Sequence, residues 1–138
     1  MVLWIDAKIL LDVLQKRIPH YHKSALIWKL CETRQVTGYV SVLTLANIVY
    51  VMRKELSPEK IEQVLSAMAL IFTFEDFRSE DIQKASMMHW HDFEDAVQFC
   101  GASRIHADYV ITRNPDNFKA SSIPALLPEE FLSDFLNT

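Results

Sequence analysis

Glycine is almost missing from this sequence: among 138 residues only Gly38 and Gly101 are glycines. Loops that cradle phosphate on bare backbone need several glycines at set spacings, so P-loop and GxGxxG nucleotide sites are excluded. Cysteine is equally sparse, with Cys31 and Cys100 far apart and no CxxC pair. A thiolate zinc site is therefore not expected, and two isolated cysteines read as packed, reduced thiols. No apolar run approaches the roughly 18 residues of a membrane span. The opening MVLWIDAKILLDVLQKR has no basic leader and no small-residue cleavage site, so no signal peptide is expected. Repeats, low-complexity tracts and Gly/Ser linkers are absent as well. The net charge of -4 speaks against a protein that holds nucleic acid on a broad basic surface. It leaves room for an enzyme whose own acids bind a metal. These absences leave one cytoplasmic globular domain over residues 1–138, long enough to bury a core without staples.

What is present alternates between strand and helix patterns. VLWI, residues 2–5, is an apolar run that stops at Asp6 and reads as a strand buried on both faces. Helices are expected over 7–16, limited by Pro19, and over 20–34. Gly38 turns the chain into the strand YVSVL. A helix then opens near Thr44, and another at Ser57, with Pro58 at its first position. FTF, residues 72–74, reads as a short strand. Helices from Ser79 and from Asp92 follow, then the strand DYVIT, a last strand in IPALL, and a final helix from Pro128. This alternation predicts an α/β fold, a three-layer α/β/α sandwich around a mainly parallel sheet. Ligands of such sheets gather at the carboxyl ends of the strands. Asp6 and the segment TRNPDN lie at such ends, and the acidic helix start at 92–95 is able to face the same place.

Two readings of these acids stay open on the residues alone. Asp6 is either a helix cap or a metal ligand, since an acid at the end of a buried strand is costly unless paired. Asp12 reads as a solvated helix residue. Asp92 is a good cap, and acids in a first helical turn suit the dipole. Yet Asp92 and Asp95 are three apart and share a face, where like charges repel unless a cation neutralises them. Oxygen-only ligands favour Mg²⁺ or Mn²⁺ over zinc. Glu94 reads as solvated, and His89, His91, His20 and His22 as surface histidines. Arg53 and Lys54 read first as a solvated helix end, with phosphate contact as the second account. The apolar YVM and SAMALIF segments are alternatively a surface for pairing with a second copy.

Four segments together resemble the PIN-domain family, in its subgroup of toxin ribonucleases from toxin–antitoxin pairs. They are WIDAKILLDVL, SVLTLANIVYVMRK, DFEDAVQFCGASRIHADYVITRNPDNF and SSIPALLPEEFL. DFEDA followed by DYVITRN is the most specific, and the likeness spans essentially the whole chain. The resemblance implies an Mg²⁺- or Mn²⁺-dependent endoribonuclease with its acids at the carboxyl ends of a parallel sheet. It implies catalytic roles for Asp6, Asp95, Thr112 and Asn114, and metal binding by Asp6, Asp95 and Asp92. Lys8, Asn47, Arg113 and Asp116 are the substrate-binding candidates. An RNA substrate, an antitoxin protein and a homodimer are the implied partners. Three positions depart from the family pattern: Asn47 and Asn114 stand where acids are common, and Lys8 stands where Asn is common. The alternative they motivate is a degenerate PIN domain that binds RNA or protein without cutting.

Overall fold

The computed structural model describes residues 1–137. Five strands form one sheet: β1 (Val2–Ile5), β2 (Thr37–Ser41), β3 (Thr73–Glu75), β4 (Tyr109–Ile111) and β5 (Ala125–Leu126). Their spatial order is β3-β2-β1-β4-β5, and every pairing is parallel. Seven α-helices are found among the described residues: α1 (Ala7–Leu14), α2 (Tyr21–Glu32), α3 (Val42–Met52), α4 (Pro58–Ile71), α5 (Ser79–Met88), α6 (Phe93–Arg104) and α7 (Pro128–Leu136). A short 3-10 turn covers Pro115–Phe118.

The central strand explains the layers. Leu3, Trp4 and Ile5 are all buried, as expected of a strand covered on both sides. Leu3 and Ile5 point into a core shared with α1, α2, α4, α7 and the inner side of α3, through Ile9, Ile27, Met68, Phe131 and Ile48. Trp4 points the other way, into a second core with Val110 and with Ala102 of α6. α5 packs outside α6 through Ala85, Ala96 and Val97. The α/β expectation is thus borne out, with helices on both faces of a parallel sheet. Trp4 fits because Gly101 has no side chain: a Cβ there would lie 2.5 Å from Trp4 Cη2.

Element starts follow local chemistry, with instructive shifts. Ser57 caps α4 by accepting from Lys60 N, and Pro58 opens it, as predicted. The β-branched run YVSVL was expected to stay extended to Leu43. Instead β2 ends at Ser41, whose hydroxyl accepts from Leu43 N and starts α3 there. Thr44 is no cap; it is buried within the first turn of α3. Chain connectivity runs outward from β1 to β2 and β3, then returns to β4 on the other side of β1. The order therefore reverses between β1 and β4, and a crevice opens at the carboxyl ends of that pair.

Candidate functional site

The register Ile5↔Ile111 makes Asp6 and Thr112 neighbours just beyond that crevice. Asp6 N donates to Ile111 O at 3.0 Å, extending the ladder by one bond. Asp6 then leaves the sheet and caps α1, its Oδ1 accepting from Ala7 N at 2.8 Å. Its Oδ2 accepts from Thr112 Oγ1 at 2.9 Å. Thr112 is fully buried, and its hydroxyl also accepts from Asn114 N at 3.1 Å. Capping and site placement are thus not alternatives for Asp6: one oxygen caps the helix while the other is fixed across the crevice. Two of the roughly four lone-pair positions of the carboxylate are engaged, leaving the others free to accept.

The acids of α6 come up opposite. Asp92 is the N-cap, its Oδ1 accepting from Asp95 N at 3.0 Å. Asp95 Oδ2 accepts from Asn117 Nδ2 of the 3-10 turn at 2.9 Å. Glu94, expected to be solvated, is exposed but engaged: its Oε1 accepts from Asn47 Nδ2 of α3 at 3.2 Å. The four carboxylates repel one another. Burial raises the Asp6 carboxyl above its ordinary range, opposed by the bonds from Thr112 and Ala7 and by Lys8, while Asp92 adds to the rise. Asp95 is pushed up to about 6, first by burial and then by Asp6, Asp92 and Glu94, against the bond from Asn117. Burial, Asp6 and Asp92 raise Glu94 as well. Like charges held together with no ion-paired Lys or Arg between them attract a cation. Among the described residues, no three His, Cys, Asp or Glu side chains are gathered closely enough to hold a metal by themselves.

The remaining candidates separate. Lys8 is exposed beside Asp6, where its charge favours the ionised acid. Asn114 contributes its backbone N–H to Thr112. Asp116 is exposed on the 3-10 turn. Arg113 turns away from the acids, its Nη2 lying 3.5 Å from Asp12 Oδ1. Asp12, read from sequence as solvated, is fully buried and accepts from Ser24 Oγ at 3.0 Å. Arg53 lies over its neighbour Tyr50, 3.7 Å from the ring centre. Behind the acids, Trp4 Nε1 donates to Gln98 Oε1 at 2.8 Å, and Gln98 Nε2 donates to Thr44 Oγ1 at 3.3 Å. This buried chain ties α6 to the sheet and to α3, and so fixes the height at which Asp95 and Glu94 stand. Nothing in the sequence singles out Asn117 or shows the bond made by Glu94, because the partners lie 22 and 47 residues away.

Comparison with known proteins agrees with this architecture. No curated protein matches the chain. Solved structures do match in fold. The VapBC2 complex of Rickettsia felis, bound to a fragment of its promoter DNA, superposes with a TM-score of 0.67 at 16% identity, over 92% of this chain and 98% of that one. A toxin–antitoxin complex from Klebsiella pneumoniae gives 0.66 at 17% identity, over 91% and 97%. VapC20 of Mycobacterium tuberculosis, a toxin that cleaves the sarcin–ricin loop, gives 0.62 at 10% identity, over 78% and 86%. The PIN-domain family model matches residues 2–116, which takes in β1, Asp6, the acids of α6 and Thr112. On the strength of that match, which covers most of its length, the chain belongs to the PIN-domain family.

Proposed function

We propose that this protein is a metal-dependent endoribonuclease, the toxin of a toxin–antitoxin pair, acting in the cytoplasm. One observation carries the reading: Asp6, fixed by Thr112 at the switch point of the sheet, faces the acidic first turn of α6. The antitoxin partner is supported by structural neighbours that were solved as toxin–antitoxin complexes. A homodimer belongs to the same proposal; Tyr50 and Leu70, 67% and 76% exposed, supply apolar surface for protein contact. Among the described residues, no helix is long and apolar enough to cross a membrane.

The donor set fits Mg²⁺ or Mn²⁺. Mg²⁺ is commonly held by one or two carboxylates, with water and substrate phosphate completing the shell, and does not need an all-protein cage. Asp6 and Asp95 are the proposed ligands, with Asp92 and Glu94 adding negative charge near them. A divalent cation so held would polarise the scissile phosphodiester and acidify an attacking water. The protein's own part is to orient and to charge. Thr112 holds Asp6 by donating to Oδ2, and Asn117 holds Asp95 in the same way. Asn47 steadies Glu94, so that the position lacking an acid still brings a carboxylate to the crevice by hydrogen bonding. Asn114 closes the Thr112 hydroxyl from behind and thereby orients its proton towards Asp6.

A second reading, a PIN domain that binds without cutting, is favoured by the ammonium of Lys8 beside Asp6. An RNA cleavage assay on a broad RNA pool, with and without Mn²⁺, separates the two. Metal-dependent cutting by wild type, lost in Asp95→Asn, is the expected result. A folded, antitoxin-free wild type that leaves all RNA intact would decide for the binding module.

A further inference from the structure

Next to the acids lies a second recess that the cleavage chemistry does not use. It is about 360 Å³ in volume and is lined by His20, Lys23, Ser24, Arg113, Leu127 and Glu129, among others. We propose that it binds a backbone phosphate of the RNA strand, one that flanks the bond being cut. The identity of the strand rests on the nuclease reading above; the anion site itself rests on the following geometry.

Arg113 is the central group. It follows Thr112 at the bend that leaves β4, where the two side chains part. Thr112 reaches Asp6 while Arg113 reaches Asp12. Asp12 holds the guanidinium by charge but does not satisfy it. The 3.5 Å separation is no hydrogen bond under strict geometry, and Arg113 Nε is buried with no acceptor. The side chain is still 22% exposed, so its outer edge is open to the recess, and guanidinium N–H groups match phosphate oxygens well. Lys23, exposed and in no ion pair among the described residues, adds a mobile ammonium at the rim. The N-termini of α2 and α7 line it too, and His20 gives α2 no side-chain cap. The α7 end is already served by an acid, since Glu130 Oε1 accepts from Leu127 N at 2.9 Å, so the α2 end is the one that offers its dipole to the recess. Glu129 is the opposing charge; it is exposed on the first turn of α7.

The recess also communicates with the acids. A trough of about 550 Å³ shares Arg113 and Leu127 with it and extends through Asn114 to Asn117, the residue that holds Asp95. A strand lying in this trough would pass Asn117, the partner of Asp95, at one end and Arg113 with Lys23 at the other, with Asp116 and Glu130 as the opposing charges along it.

The test is binding of a short fluorescein-labelled single-stranded RNA, followed by anisotropy in EDTA across a series of salt concentrations. Lys23→Gln should weaken binding about five-fold at low salt and flatten the slope of log K against log salt by about 0.7, one phosphate contact on a single strand. Glu129→Gln should tighten binding. Arg113→Lys should weaken it by more than Lys23→Gln, with its fold checked by circular dichroism. Lys60→Gln on α4 serves as the control. Wild-type affinity and slope in both Lys23→Gln and Arg113→Lys would overturn the proposal, even if the protein cuts RNA. Charge-dependent binding without any cleavage would uphold the anion site for an RNA strand and remove the nuclease reading, and with it the placement beside a cut bond. Full displacement of the RNA by low millimolar inorganic phosphate would reassign the recess to free phosphate and overturn the strand assignment.

Discussion

Replacing Asp95 with asparagine should stabilise the metal-free protein at neutral pH. The reasoning starts from the carboxyl of Asp95, raised from 3.8 to about 6 by burial and by Asp6, Asp92 and Glu94. An acid whose folded value is raised binds more protons when folded than when unfolded between those two values. Stability then falls as pH rises through that window, and the full penalty is present above about pH 6. At roughly 1.4 kcal/mol per pH unit the unscreened penalty would be about 3 kcal/mol. Asp95 is only half buried, so solvent screening reduces this to about 1–2 kcal/mol. Asparagine forgoes a favourable charge at the helix start, about 0.5 kcal/mol, but its side-chain oxygen still accepts from Asn117. The net gain is about 1 kcal/mol, or a Tm increase of about 3 °C for a domain of this size. Thermal melts of wild type and Asp95→Asn in EDTA at pH 7.5 and pH 4 measure it. The increase should appear at pH 7.5 and vanish at pH 4, where the wild-type acid is already protonated. Saturating Mg²⁺ at pH 7.5 should cancel the mutant's advantage. A variant that is less stable than wild type by the same amount at both pH values would refute the repulsion argument.

Further expectations concern the groups that hold the site. Asp12→Ala would leave the Arg113 guanidinium without its buried counter-charge; a loss of about 3–5 kcal/mol in urea unfolding is expected. Gly101→Ala would force a methyl against Trp4 and should cost about 1–3 kcal/mol, with a changed tryptophan fluorescence spectrum. Asn47→Asp would place a second carboxylate beside Glu94; it should lower the metal-free Tm and tighten Mn²⁺ binding, both measurable on one preparation.

Much of this molecule was legible in its residues, for local reasons. VLWI reads as a strand covered on both faces because it is apolar throughout and stops at Asp6. Ser57-Pro58 and Asp92 announce helix starts because capping is settled within three residues. The boundary at Ser41 was missed because Val42 and Leu43 continue an apolar, strand-like run, and only the hydroxyl of Ser41 marks the turn into α3. Asp12 was misread for a different reason. Its spacing suits an exposed helix position, and nothing within α1 reveals that Ser24 and Arg113 bury it. The same limit hid the bonds of Glu94 and Asn117. Their contacts cross between α6, α3 and the turn after β4, and depend on how the sheet stacks those elements. The acids were visible, and the resemblance pointed to Thr112, Asn114 and Asn47 beside them; Asn117, which aims Asp95, was not singled out.

The central claim is that Asp6 and Asp95 together hold a divalent cation. Calorimetric titration of the antitoxin-free protein with Mn²⁺ at pH 7.5 tests it without any knowledge of the RNA target. The account predicts saturable binding at the acid cluster, weakened at least ten-fold in Asp6→Asn and again in Asp95→Asn. Saturable binding of unchanged affinity in both variants, or none in the folded wild type, would contradict it.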